Sequence, residues 1–507
     1  MATPTRTQRT VLIVVAAFLF GGSVFLNCVA AGPDEHVRQS AVAGSFYPQD
    51  PKELAALVDS LISAAAPVTV KGQILAVVAP HAGYPYSGPV AGYTYAALKG
   101  AKFHRVVVIA PSHFEAFDFS SVYDGDAYQT PLGTVKVDKA FARKLAGSDP
   151  SIKLSGRGHV PSQEQGEHAL EVELPFLQRT LGDFELVPVI MGDQSYEASR
   201  DLGIALAHLV QGTDTLIVAS SDLSHYHPYD EAVSIDSKTL NAIREWDYLT
   251  LSDNFQRRIW EACGGAPVVA AMIAAERLGA NQADILRYAN SGDITGDRKR
   301  VVGYSAVAFT RSPGASGGAA PQFSLSPEEK QQLLTIARKS VESAVRDRKK
   351  YELPTDLPKA LLQDRGAFVT ITRKGDLRGC IGFTAPVESL AMTVRDVATH
   401  AALNDPRFGP VTASELPDLR YEVSVLSPLR HVADVSQIKV GENGLLIKEG
   451  EREGLLLPQV PREQGWQRKT FLEQTAVKAG LPPDAWRDKD ADLFMFTAIV
   501  FHEAERP

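Results

Sequence analysis

The chain has 507 residues, 44% of them apolar, and a net charge of −8. That length gives room for about two to four domains, and the apolar share excludes a disordered chain. The acidic balance argues against a broad nucleic-acid footprint, and three cysteines (Cys28, Cys263, Cys380) are too few for a disulfide framework.

The first element reads as an export signal, cleaved or kept as an anchor. Arg6 and Arg9 precede an apolar run from Val11 to Ala31, interrupted at Gly21-Gly22-Ser23 and Asn27. Val29-Ala30-Ala31 suits cleavage, and the run is also long enough to remain as an anchor. Residues 1–31 are thus expected to be a signal peptide or membrane anchor. Either arrangement places the body outside the cytoplasm, touching a membrane only through this segment. Phe25-Leu26-Asn27 makes Cys28 a poor lipid-attachment site.

Residues 32–311 alternate apolar strands with amphipathic helices. Helices are expected at Pro51–Ala65, around Phe141–Ala146, at Ala198–Val210 and at Pro267–Leu278. This alternation predicts an α/β body, a mostly parallel sheet flanked by helices, with ligands bound beyond the carboxyl ends of the strands. Three apolar runs end in that way on an imidazole. Ile74–Val78 is followed by Ala79-Pro80-His81, Val106–Ile109 by Ala110-Pro111-Ser112-His113, and Leu216–Ala219 by Ser220-Ser221-Asp222 and then His225. Proline cannot continue a central ladder, so it ends a strand sharply. Imidazoles converging from neighbouring strand ends, with a carboxylate nearby, suit a metal ion. Cys263 precedes the Pro267–Leu278 helix, where the helix dipole is expected to favour a thiolate.

The motifs PHAGYPYSG, APSHF, EHALEVELPF and SSDLSHY, with RQSAVAGSFYP before them, resemble the Memo family, protein B of the AmmeMemoRadiSam system, over about 38–311. Memo proteins look like class III extradiol dioxygenases of the LigB type, which hold iron(II) between two histidines and a carboxylate. The resemblance implies metal ligands at His81 and His113, with Cys263 in place of the third ligand. Asp222, His225 and His168 match the remaining pocket positions, where catalytic roles are expected. A His-His-Cys set is softer than His-His-carboxylate and accepts zinc or copper as well as iron.

Ser312–Pro321 reads SPGASGGAAP, a linker composition, and 312–325 separates the two bodies. Ser326-Pro327-Glu328-Glu329 then starts a helix that runs to about Arg346. Residues 326–507 alternate further strands and helices in an α+β pattern. These are strands at Gly366–Thr372 and Tyr421–Leu426, a turn at Arg373–Asp376 followed by Leu377–Gly382 with glycines that allow tight turns, a helix around Val387–Leu403, and a hairpin from Gly444–Ile447 and Gly454–Leu457. LRGCIG, NDPRFGPV, LRYEVSVLSPL, NGLLIK, GLLLPQV and KAGLPPDAW resemble the AMMECR family, protein A of the same system. Cys380 reads either as a nucleophile with Arg378 as anion clamp, or as a buried thiol in a tight loop. Asn404, Asp405 and Arg407 either join that cleft or form a helix stop and turn.

The resemblance therefore implies a fused Memo–AMMECR protein with a small-molecule or peptide ligand. It also implies functional association with a radical S-adenosylmethionine enzyme. Three classes of function fit: a metal-dependent oxidoreductase with iron(II), a binding or scaffolding pair without turnover, and a zinc-dependent hydrolase in the same pocket. Each body is expected to fold by itself, since each spans a whole family pattern.

Overall fold

The structure, a computed structural model, describes residues 36–160, 166–312, 323–384 and 388–503. The expected export segment at 1–31, Cys28 and nearly all of the Gly/Ala-rich linker lie outside the described residues. Among the described residues, no helix is long and apolar enough to cross a membrane.

The first body is built on a nine-stranded sheet. Its centre consists of Gln73–Ala79, Thr215–Ser220, Arg105–Pro111 and Glu185–Met191, side by side and parallel. The flanks are antiparallel: Val301–Arg311 pairs with Gln73–Ala79, and Ser120–Val122 with Glu185–Met191. The expected parallel sheet is thus the centre of a mixed one. Between its end residues each central run is apolar, because both of its faces are covered. Along Gln73–Ala79, Ala76 and Val78 pack toward the helices Tyr196–Val210 and Gly265–Arg277. Val77 and Ala79 pack the other way, toward Pro51–Ala65, Tyr84–Ala97 and Glu173–Leu181. Local signals set the helix starts. Asp50, for example, accepts hydrogen bonds from the Lys52 and Glu53 amides and so caps Pro51–Ala65.

The second body carries a seven-stranded antiparallel sheet. Asp376–Phe383, Ala367–Arg373, Leu419–Leu426 and Asp492–His502 lie in that order, followed by the hairpin Asn443–Glu449 and Arg452–Leu456. Helices Pro327–Asp347 and Leu390–Leu403 contribute to the core on one face. Ser326 and Glu329 form a reciprocal capping box at the first of them.

The two bodies share a core. Leu429, Leu446, Leu455, Phe494 and Phe496 belong to the same buried cluster as Tyr248, Leu249 and Ala274. Buried Asp492 accepts from Arg200 Nε at 2.6 Å and from the Tyr196 hydroxyl at 2.9 Å. Arg365 pairs with Glu245 at 3.0 Å and Lys238 with Asp364 at 2.8 Å. Residues from His36 onward form one compact unit. The linker composition gave no sign of this contact.

Candidate metal centre

His81 lies two residues past the end of Gln73–Ala79, and His113 two residues past the end of Arg105–Pro111. These strands flank Thr215–Ser220, whose end leads into Asp222. Parallel neighbours carry their carboxyl ends to the same edge, so the histidines meet. The His81 and His113 rings lie 5.2 Å apart, His113 and His168 stack at 4.9 Å, and His81 and His168 lie 5.6 Å apart. Cys263 Sγ sits 3.0 Å from His81 Nε2. Two overlapping donor sets result, His81–His113–His168 and His81–Asp222–Cys263, each with its ligand atoms within 4.8 Å of one another.

Hydrogen bonds aim these donors. Asp222 accepts from the His81 amide at 2.9 Å, which fixes the turn after Pro80. Glu167 accepts from the His113 amide at 2.6 Å, and its other oxygen lies 2.9 Å from His113 Nδ1. His113 Nε2 is therefore left as the free ring donor atom. A carboxylate behind a ligating imidazole fixes the tautomer and raises ligand basicity. Behind His81, Nδ1 lies 2.9 Å from Ser220 Oγ.

The electrostatics suit a cation. Burial, reinforced by the neighbouring histidines, holds His81 well below the ordinary imidazole range. Burial likewise brings His168 down to about 4 and lowers His225. These imidazoles are neutral with lone pairs available. Burial raises Asp222 to about 7, and burial followed by Asp222 pushes the Cys263 thiol well up. The thiolate expected from the helix dipole is thus a thiol in the protein alone, because loss of water outweighs the dipole. A bound metal would replace that proton. His81 with the Cys263 sulfur and the Asp222 carboxyl, and His81 with the imidazoles of His113 and His168, each make a set that fits a divalent ion, whereas His113 and Cys263 share neither set.

The site opens into a cavity of about 960 Å³, lined by Phe46, Tyr86, Phe114, Tyr226, Trp260 and Tyr304 beside the histidines and Cys263. His168 and His225 line it too. His225 belongs to neither donor set. Its amide donates to Glu261 at 3.3 Å. Glu167, Glu173 and Ser220 escaped the sequence reading. The available signal was the stretch EHALEVELPF, with three glutamates inside an apolar run.

The residues singled out in the second body are arranged differently. Arg378 donates to Glu415 at 2.8 Å and to the Gly409 carbonyl at 2.9 Å, so its donors are occupied within the fold. Cys380 lies on the Asp376–Phe383 strand, with its amide on Asp405 at 2.8 Å and its sulfur accepting from Thr370 at 3.3 Å. Burial raises its thiol. Arg407 pairs with Asp405 at 2.7 Å and reaches the Cys380 carbonyl at 3.1 Å. Asn404 caps the preceding helix, its side-chain oxygen 3.2 Å from His400 Nδ1. Asp405 and Arg407 thus gather at Cys380 and brace its backbone, which is part of an antiparallel strand and not the tight loop expected.

The family model described as Memo-like protein matches residues 38–308, and the AMMECR1 model matches residues 334–501. The MEMO1 family protein MK0963 of Methanopyrus kandleri is 36% identical over 285 residues, covering 54% of this chain and 99% of that protein. The MEMO1 family protein MTH_45 of Methanothermobacter thermautotrophicus is 37% identical over 278 residues, covering 53% and 99%. Among solved structures, the Pyrococcus horikoshii protein PH0010 is 41% identical with a TM-score of 0.35, covering 35% of this chain and 93% of its own.

Proposed function

Because the chain belongs to the Memo-like family through residues 38–308 and carries an AMMECR1 domain at 334–501, we propose that its first body is a metal-dependent oxidoreductase resembling the extradiol dioxygenases. One divalent ion, iron(II) in this reading, is held by His81, His113 and Cys263. The observation that carries the reading is the meeting of two donor sets on His81, one with His113 and His168 and one with Asp222 and Cys263, each within 4.8 Å, in an aromatic-lined cavity. Bound iron(II) would supply the means of activating oxygen. The protein's own residues do the rest. The aromatic walls exclude water and present flat surfaces to a small organic substrate. Asp222 and His168, each a member of one donor set, and His225 in the same cavity are in this reading the groups that take up or release protons.

The sulfur ligand favours a second reading, a zinc-dependent hydrolase in the same pocket. Elemental analysis of the purified protein, with oxygen uptake measured against catechols and other small aromatics, separates the two. Stoichiometric iron with substrate-dependent oxygen uptake supports the oxidoreductase. Stoichiometric zinc without uptake supports the hydrolase. The double variant His81→Ala/His113→Ala should lose stoichiometric metal while remaining folded by circular dichroism. Full metal retention would remove the assignment altogether.

A further inference from the structure

Behind His81 lies a buried polar group that the ligand set does not use. Ser220 Oγ has three close partners: His81 Nδ1 at 2.9 Å, the Ala169 carbonyl oxygen at 2.6 Å and Glu173 Oε1 at 2.7 Å. Ser220, Glu173 and His81 are all buried, with at most 2% exposure. The other carboxyl oxygen of Glu173 accepts from the Tyr95 hydroxyl.

Counting protons resolves the cluster. A serine hydroxyl has one hydrogen to donate and two lone pairs to accept with. The Ala169 carbonyl can only accept, so the single Ser220 hydrogen points there. A shared hydrogen would not give contacts as short as 2.6 and 2.7 Å to two acceptors. Glu173 Oε1 must then be the donor of its own contact, and His81 Nδ1 the donor of the third. Both lone pairs of Ser220 are filled, and no buried polar atom in the cluster lacks a partner.

We infer that Glu173 is held as a neutral carboxylic acid and acts, through Ser220, as a positioning residue that locks His81 in its Nδ1–H form with Nε2 bare toward Cys263 and the metal. This rests on His81 being a metal ligand, as proposed above. The surroundings agree. Burial pushes Glu173 up to about 8 against the Tyr95 and Ser220 hydrogen bonds, which draw it down, and Asp222, of like sign, adds to the rise. Tyr95 on the Tyr84–Ala97 helix and Ser220 at the strand end are its hydrogen-bonding neighbours. The cluster is a clamp and not a proton relay, because both donors point into Ser220 and its own hydrogen ends on a carbonyl. Were Glu173 ionised, it would compete with Ala169 for that hydrogen and leave the serine free to turn away from His81.

The test uses the full chain with zinc(II) as probe. In metal-free wild type, the infrared spectrum should contain a protonated-carboxyl band that is lost in Glu173→Gln. Nitrogen-15 NMR should show His81 as the Nδ1–H tautomer. Glu173→Gln keeps a donor for Ser220 and an acceptor for Tyr95, so zinc affinity and tautomer should match wild type. Glu173→Leu removes the donor, and zinc affinity should fall about 10- to 100-fold with mixing of the His81 tautomers. A carboxylate signal at Glu173 in wild type, or a Glu173→Gln variant as impaired as Glu173→Leu, overturns the inference. The wild-type spectra and Glu173→Gln decide the matter even where Glu173→Leu does not fold. If the spectra behave as expected but no variant, wild type included, binds metal, the clamp stands and the proposed metal function falls.

Discussion

A β-carbon added at Gly264 would lie 2.2 Å from the Ser220 carbonyl oxygen and 2.7 Å from the Ser221 β-carbon. Neither atom belongs to a flexible side-chain end, so the loop holding Cys263 would have to retreat from the strand end that carries Ser220 and Asp222. Gly264→Ala should cost about 1–3 kcal/mol, as overpacking does. It should also weaken zinc binding by drawing Cys263 away from His81. Urea unfolding and competitive zinc titration measure the two effects, and a variant unchanged in both would contradict the close approach. At this level the sequence displays some groups and hides others. His81 and His113 are readable because a proline ends each strand just before an imidazole. Glu167, Glu171 and Glu173 are not, since a glutamate near a helix start reads as solvated surface. Here three of them point inward, toward His113, Arg38 and Ser220. What distinguishes them is a tertiary partner far along the chain, which periodicity does not record.

The Gly265–Arg277 helix shows how well elements can be read and where that ends. Its eleven buried residues, from Gly265 to Ala275, leave no polar face in its first three turns, the pattern of a core helix. Gly203 lets the Tyr196–Val210 helix approach it so closely that a β-carbon there would lie 2.8 Å from the Ala270 carbonyl. Expected over 267–278, it spans 265–277, because apolar runs are conspicuous and their caps less so. Its last turn carries Glu276, which burial raises from 4.5 to about 7 while the Tyr248 hydroxyl donates to it at 2.9 Å. An acid whose folded value lies above its unfolded value holds its proton more tightly when folded. Stability is therefore lost as pH rises from 4.5 toward about 7, and the loss is constant above that. Glu276→Gln should match wild type below about pH 4.5 and be more stable by up to ~3 kcal/mol at about pH 8. Urea midpoints across that range provide the check, and a constant difference between the two proteins would show that Glu276 is not raised.

Across the whole chain, Asp492 ties the bodies together. It is 3% exposed and receives Arg200, 292 positions away in sequence, together with Tyr196. Asp492→Ala would leave Arg200 buried without its main carboxylate, at about 3–5 kcal/mol. Because the core is shared, hydrogen exchange should quicken in both the Tyr196–Val210 helix and the Asp492–His502 strand. Quickening confined to the strand would show that the bodies unfold independently. Both folds could be read from their own motifs, since each is built from local patterns. Their contact could not be read, because Leu429, Leu446 and Phe494 look like interior residues of either body.

The backbone continues from Ser312 to Phe323, and that continuity changes what the interface has to accomplish. Docking of the two halves is a first-order event, at an effective concentration in the millimolar range for a short tether. Free energy that separate subunits would lose in translational entropy is already accounted for by the peptide chain. Ion pairs such as Arg200–Asp492 can then select one register over others without supplying affinity. Every copy also delivers the two halves in a ratio of one to one, whatever the level of expression.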